Sequence, residues 1–522
     1  MGVPVGPELD VIKAMRAYSK TVIENFLRMS PQVPSYGAKN QHFLIAGADP
    51  LYYLLAQGTQ EQQAGPLAAA PDLTEIPPVG VTNVEGNIVD IIASTEGTFS
   101  AYCITDTTRV YGLNKAGYHD LGYPSGSSVN NVGGRLACSG GFLLATYSSS
   151  NKVWLLALPG PGSWSSVSSG TLSTNVGPHL LEPFAEYVCV SDNTVSGNTA
   201  NEIRLITLAS STILTTPALN LGTGWGIMQM KNYTNKYLAA AIGQVASGGI
   251  VQGHQQNYLV LWDAAFNTFN QSIPIPGKFL DMKVIDSVLY VAVQLNDSRT
   301  AVYYLSNITL KKLFTTQVSN ISAATYAPVN CALFSYNNFV GVKLVDTNAA
   351  NGSLICPLLT SGSSESGPLE YIFGYGRTID QLCVGYDGTL FTTMYVPSGN
   401  SRLFYKPDVP GTYLSIYYIS QWIPVSNLAG LDIYYDEPPV LTGDKISVTI
   451  YGKGEDISAN GGNSTTPLND ITSTSAMTKK RTQLDVKGFT GDFLRVVLTT
   501  TVTGGSTWKP IIRGITPLSS DE

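Results

Sequence analysis

Charge is what this chain has least of. Only 13% of its 522 residues are Asp, Glu, Lys or Arg, about half the usual share of roughly 25%. The balance is acidic, −7 with a pI near 5.2, which excludes the basic footprint by which proteins grip nucleic acid. No stretch approaches the roughly 18 consecutive apolar residues of a membrane-spanning helix. Glu8 and Asp10 stand where a signal peptide needs a basic start and an apolar run, and Gly6 stands where a myristoylation signal places Ser or Thr. The expectation is a protein that folds where it is made.

Reactive patterns are equally scarce. None of the six cysteines forms a CxxC pair. Cys103, Cys138, Cys189, Cys331 and Cys383 lie in or beside apolar, strand-like stretches and read as small buried hydrophobes in a reducing compartment. The sequons at Asn232 and Asn307 are what an Asn-, Ser- and Thr-rich chain produces by chance. His42, His119, His179 and His254 are scattered without HxxxH or HExxH spacing, and no GxSxG elbow occurs. Gly222-Thr-Gly-Trp-Gly lacks the helix a dinucleotide loop needs and reads as a turn between repeats. Asp432, Asp436 and Glu437 raise acid–base work, but Pro438-Pro439 and strand alternation favour a solvated edge. Tyr386-Asp-Gly-Thr-Leu-Phe has part of the Asp-box of sialidase-type propellers without its Ser or Trp, and Asp-Gly is a good hairpin turn. Lys479-Lys480-Arg481 reads as a solvated cluster. The sequence therefore predicts no catalytic, cofactor-binding or metal-ligating residue.

What the chain does have is aromatic residues, 10% with 29 Tyr, and the Ser, Thr, Asn and Gly of short strands and tight turns. Between Pro7 and Met29, apolar residues recur at helical spacing, from Val11 and Ile12 to Phe26. Residues 30–80 read as irregular and Pro-rich, an arm lying on another surface, with only Leu51–Ala56 able to form a short helix or strand. From residue 79 a pattern repeats every 40–60 residues: an apolar run, a tight turn, a second run, polar residues, a third run. That is the period of a propeller blade. Third runs fall at Arg109–Leu113, Lys152–Leu156, Glu202–Ile206, Tyr258–Trp262, Ala301–Leu305, Phe339–Leu344 and Arg402–Tyr405. Cys331–Phe334 reads as the middle run of the sixth unit. After 415 the rhythm breaks into alternating segments such as Leu431–Tyr435, Lys445–Tyr451 and Phe493–Leu498, with a polar loop at 453–476. The expected fold is all-β: a helical or extended arm (1–78), a β-propeller of six or seven blades (79–414) and a small β-sandwich-like module (415–522).

This layout resembles the tail-nozzle (hub, or packaged-DNA-stabilisation) proteins of short-tailed bacteriophages. The likeness rests on the Ala48-Asp49-Pro50-Leu51 lead-in, on Asn87-Ile-Val-Asp-Ile-Ile, Phe99-Ser-Ala-Tyr, Arg109-Val-Tyr-Gly-Leu, Leu121-Gly and Gly134-Arg-Leu-Ala-Cys, and on the closing Trp508-Lys-Pro-Ile-Ile. The resemblance implies a structural virion component, not an enzyme, made in the host cytoplasm. It would form a homo-hexameric ring below the portal and the adaptor (head-to-tail connector), meet tail fibre, needle or tailspike proteins, and pass genomic DNA without sequence-specific binding. It carries over no catalytic residue. A mildly acidic Ser/Thr/Asn-lined wall suits DNA that must slide. The competing class is a glycan-binding or glycan-cleaving propeller, and a third is a bacterial scaffold.

Overall fold

The computed structural model describes residues 53–519 with breaks, the longest at 58–66, 193–200, 359–369 and 454–463. The Pro7–Met29 helix and the Ala48–Leu51 lead-in lie outside the described residues.

Seven four-stranded antiparallel units follow one another along the chain. Their first strands are Ile88–Ala93, Gly134–Ser139, Leu181–Phe184, Trp225–Tyr233, Lys278–Ile285, Ala324–Tyr336 and Ile379–Val384. Each first strand neighbours the next, and the seventh returns to the first. The ring is closed, and the fold is a seven-bladed β-propeller.

The apolar runs are explained by the faces they cover. In a strand, successive side chains point to opposite sides, and here both sides meet another blade. Leu136 and Cys138 pack on Tyr102 and Ile104 of blade 1, whereas Ala137 between them packs on Val188 and Val190 of blade 3. Blades 3 and 4 share Cys189, Leu205, Leu238 and Trp262, and blades 4 and 5 share Ala241, Leu259, Phe279 and Val291. Strands buried on both faces read as continuous apolar stretches.

One assignment shifts. Phe339–Asp346 is the second strand of blade 6, paired on one side with Ala324–Tyr336 and on the other with Ser353–Leu358. The stretch containing Cys331 is therefore the innermost strand and not the middle one. Its 13-residue length and register shift between Pro328 and Leu333 displace the apolar rhythm on which the sequence count relied.

The arm also differs from the expectation. Its described part lies on this chain's own sheets as four short strands. Tyr53–Gln57 pairs with Tyr417–Ser420 and, in parallel, with Glu370–Tyr371 at the outer edge of blade 6. Leu67–Ala68 joins Ile511–Ser519. Thr74–Glu75 supplies the missing fourth strand of blade 7, against Arg402–Tyr405. Pro78–Val79 edges blade 1, parallel to Gly117–Gly122. Ile76, 1% exposed, sits in the core where blades 7 and 1 meet.

The C-terminal strands form two facing sheets. One runs Tyr417–Ser420, Phe493–Thr501, Lys445–Lys453, Ser464–Pro467, and the other Ile511–Ser519, Leu428–Tyr435, Arg481–Asp485. The polar stretch expected to be loop at 453–476 contains two short strands, Ser464–Pro467 and Ile471–Thr472, both on Lys445–Lys453. Leu431, Val448, Leu498 and Trp508 of this module belong to one continuous core with Tyr290, Val342 and Phe404 of blades 5 to 7.

A turn in the module depends on one buried carboxylate. Asp444 accepts hydrogen bonds from the Leu441 and Thr503 backbone N–H groups (2.9 and 2.7 Å) and from the Ser506 hydroxyl (2.6 Å). Burial alone would raise its pKa, but the Ser506 hydroxyl and those N–H groups outweigh it and hold the carboxyl below its ordinary 3.8. A depressed folded-state pKa gives stability that is present above the unfolded value and lost as pH falls through the folded one. Asp444→Asn should therefore cost about 2 kcal/mol at neutral pH. Urea midpoints measured from pH 7 down to 2 should show the variant losing less on acidification than the parent.

Candidate functional site

The blade axis is the place where all the repeats converge, and it holds a cavity of about 810 Å³ lined by the inner strands of blades 1 to 5 and 7. Its charged lining is Asp90, Arg135, Glu182, Lys231, Asp281 and Lys283. The three acids balance the three bases, and in order around the axis the signs alternate.

The inner strands place these groups by a recurring device. Pairing with the second strand shifts register at Val89, Met228 and Leu280, so that blades 1, 4 and 5 each carry a β-bulge. A bulge leaves backbone groups without ladder partners and re-aims the next side chain. That next residue is Asp90, Gln229 or Asp281, and each reaches the following blade. Asp90 accepts the Leu136 N–H at 2.9 Å. Gln229 accepts the Met282 N–H at 2.7 Å and donates to Asp281 at 2.9 Å. Asp281 accepts the N–H groups of Met282 and Leu333, both at 2.8 Å. Glu182, on an unbulged strand, accepts the Asn232 N–H and the Lys231 ammonium, both at 2.9 Å. Between blades 6 and 7, the Lys343 ammonium donates to the Asp380 carbonyl.

Chemically this is an anchoring arrangement. Burial works against the Lys231 charge, but Glu182, then Asp281 and Asp90, raise its pKa, so it stays cationic. The Asp90, Glu182 and Asp281 carboxylates all accept a backbone N–H from the neighbouring blade, which ties each inner strand to the next. No periodicity argument singled these residues out, yet a trace was present. Met228-Gln-Met-Lys and Leu280-Asp-Met-Lys repeat one pattern, and Asn87-Ile-Val-Asp and Leu181-Glu share its lone polar residue in an apolar run.

The residues singled out from the sequence are not brought together. Asp432 is not on a solvated edge: it is fully buried, paired with Arg481 and reached by the Tyr434 hydroxyl at 3.3 Å. Arg481 is thus engaged and not simply solvated, while Lys479 and Lys480 lie outside the described residues. Asp436 makes a two-pronged bond to Arg513, 2.6 Å on each side. The Tyr386 turn is a hairpin within blade 7: Gly388 has φ +77°, and the Tyr386 N–H reaches Ser100 of blade 1 at 2.8 Å. Gly222 and Gly224, with φ +77° and +85°, turn the chain from blade 3 into blade 4.

His179 is buried with Nδ1 2.7 Å from the Ser191 carbonyl, and His119 lies against the Phe99 ring. His42 and His254 lie outside the described residues. Cys103, Cys138, Cys189 and Cys383 are buried free thiols. Burial pushes the Cys383 thiol up to about 12 and raises Cys103 and Cys189 as well, which keeps them protonated and unreactive. Among the described residues, no group of three or more His, Cys, Asp or Glu is placed to hold a metal, and no helix is long and apolar enough to cross a membrane.

No family model matches the chain, and no curated protein matches it. Among solved structures it is similar to the β-propeller domain of Cps50 (Swd1) from Myceliophteria thermophila, at 13% identity over 62% of this chain and 99% of that one, TM-score 0.40. It is also similar to the C-terminal WD40 domain of Sif2, at 12% identity over 65% and 99%, TM-score 0.40. A third is the exo-β-1,3-galactanase from Phanerochaete chrysosporium, at 10% identity over 65% and 95%, TM-score 0.27. None of these likenesses bears on what the chain binds or does.

Proposed function

We propose that this chain is a structural, non-enzymatic virion part: a subunit of a ring-forming tail nozzle of a short-tailed bacteriophage, made in the host cytoplasm. The ring sits below the portal and adaptor, offers its lower side to fibre, needle or tailspike proteins, and retains packaged DNA until ejection. The sequence likeness of the opening blades is the origin of this reading.

The observation that supports it is the continuous sheet running from blade 6 through the Tyr53–Gln57 strand into the C-terminal module. A component that carries load between rings needs its parts joined by backbone ladders and not by a flexible linker. An axial cavity of about 810 Å³ falls in the range of small-molecule pockets and not of a channel for a duplex. The DNA passage in this reading is therefore the hole between copies, and each propeller axis stays shut.

Electron microscopy of the purified full-length protein tests the proposal. The expected particles are six-fold rings that bind the purified adaptor. Dispersed monomers that ignore the adaptor would overturn it, and so would depolymerisation of a polysaccharide panel, which would favour the glycan-acting alternative.

A further inference from the structure

Among the described residues seven large apolar side chains are exposed, and five of them fall in two places. The first place is one face of the propeller. Strands alternate in direction through each blade, so the turns from third to fourth strand all emerge on the same face. Phe266 (70% exposed) and Phe269 (39%) lie on that turn of blade 4, and Ile308 (59%) on that of blade 5. The second place is the module turn carrying Val440 (51%) and Leu441 (40%).

Both places are held rigid. In the blade 4 loop, Asp263 accepts the Ala265 N–H at 3.0 Å and the Asn270 amide at 2.8 Å, and the Trp262 indole N–H is 2.6 Å from the Phe266 carbonyl. In the module turn, the buried Asp444 carboxylate accepts the Leu441 N–H, while the Trp508 indole N–H donates to the Glu437 carbonyl at 3.1 Å. Rigid presentation of an exposed aromatic lowers the ordering cost of binding.

The charges beside the two places are opposite. Lys311 is exposed on the strand after Ile308, and Glu437 is exposed just before Val440. The carboxylates on the propeller side include Asp263, engaged inside the blade 4 loop by Ala265 and Asn270, and Asp286 on the first turn of blade 5. A contact between two unlike patches is heterologous, the kind that builds rings.

We infer that the Phe266–Phe269 loop and Ile308 turn of one copy seat on the Glu437–Leu441 turn of a second copy, with Lys311 facing Glu437. This rests on the ring reading above and names the surfaces that would close it.

Sedimentation velocity of the full chain tests it, with melting curves confirming that the exposed-site variants stay folded. Phe266→Glu should weaken self-association about tenfold or more. Lys311→Glu and Glu437→Lys should each weaken it, and the double variant should recover most of the loss. A parent that assembles while all three single variants assemble equally well would overturn these surfaces and leave the ring reading standing. A parent that stays monomeric would overturn both. Open filaments or dimers sensitive to the variants would uphold the surfaces and overturn the six-fold ring.

Discussion

Asp281→Ala should cost about 3–4 kcal/mol of folding stability, the loss expected when buried backbone donors lose their acceptor. Asp281 is 6% exposed and binds three partners on three blades: the Gln229 amide of blade 4, the Met282 N–H of its own strand and the Leu333 N–H of blade 6. Removing it takes the acceptor from the Leu333 N–H at the seam between blades 5 and 6. Asp281→Asn is the sharper probe, because one carboxylate oxygen becomes a donor facing a donor. It should cost about 2–3 kcal/mol despite equal size. The control is Lys283→Ala, which shares the cavity but makes no bond to a neighbouring blade among the described residues, and should stay within about 0.5 kcal/mol of the parent. Urea unfolding followed by tryptophan emission reads all three. An Asp281→Ala midpoint equal to that of Lys283→Ala would refute the anchoring role of the bulged strands.

Trp508→Ala should be comparably severe, about 4 kcal/mol, since it empties a large buried site. Trp508 is 1% exposed in the core that joins the module to blades 5 to 7, and its indole N–H satisfies the Glu437 carbonyl. Trp508→Phe keeps most of the apolar surface and loses that bond, so about 1–2 kcal/mol is expected. Because the core is shared, the melting of the Ala variant should remain a single shifted transition. A separate early transition with the propeller unchanged would show that module and blades do not share their stability.

Much of the architecture was legible because blade strands are buried on both sides. Val188, Cys189 and Val190 are all fully buried, which leaves an unbroken apolar run between turn residues, a pattern easy to see. Blade 6 was misread where Ala324–Tyr336 exceeds the usual strand length and shifts register. The arm was unreadable for a different reason. Thr74–Glu75 and Pro78–Val79 are two-residue strands stabilised by distant partners, Phe404 and Tyr118 among them. So short an element has no period of its own. Asp432 was misjudged because strand alternation cannot reveal that Arg481 arrives from a neighbouring strand to neutralise it. The axial groups escaped notice because a bulge changes where a side chain points without changing the composition around it.

The arm has a consequence for synthesis. Thr74–Glu75 leaves the ribosome long before Phe404, its partner in the last blade, and Tyr53–Gln57 long before Tyr417–Ser420. The nascent chain must carry these segments idle while six blades form beside them, and the unsealed edges of the growing stack are open to wrong pairing until Arg402–Tyr405 and Tyr417–Ser420 emerge. Sealing of the last blade is thereby deferred until Arg402–Tyr405 has been made, so a chain cut short before it leaves Thr74–Glu75 without its partner strand.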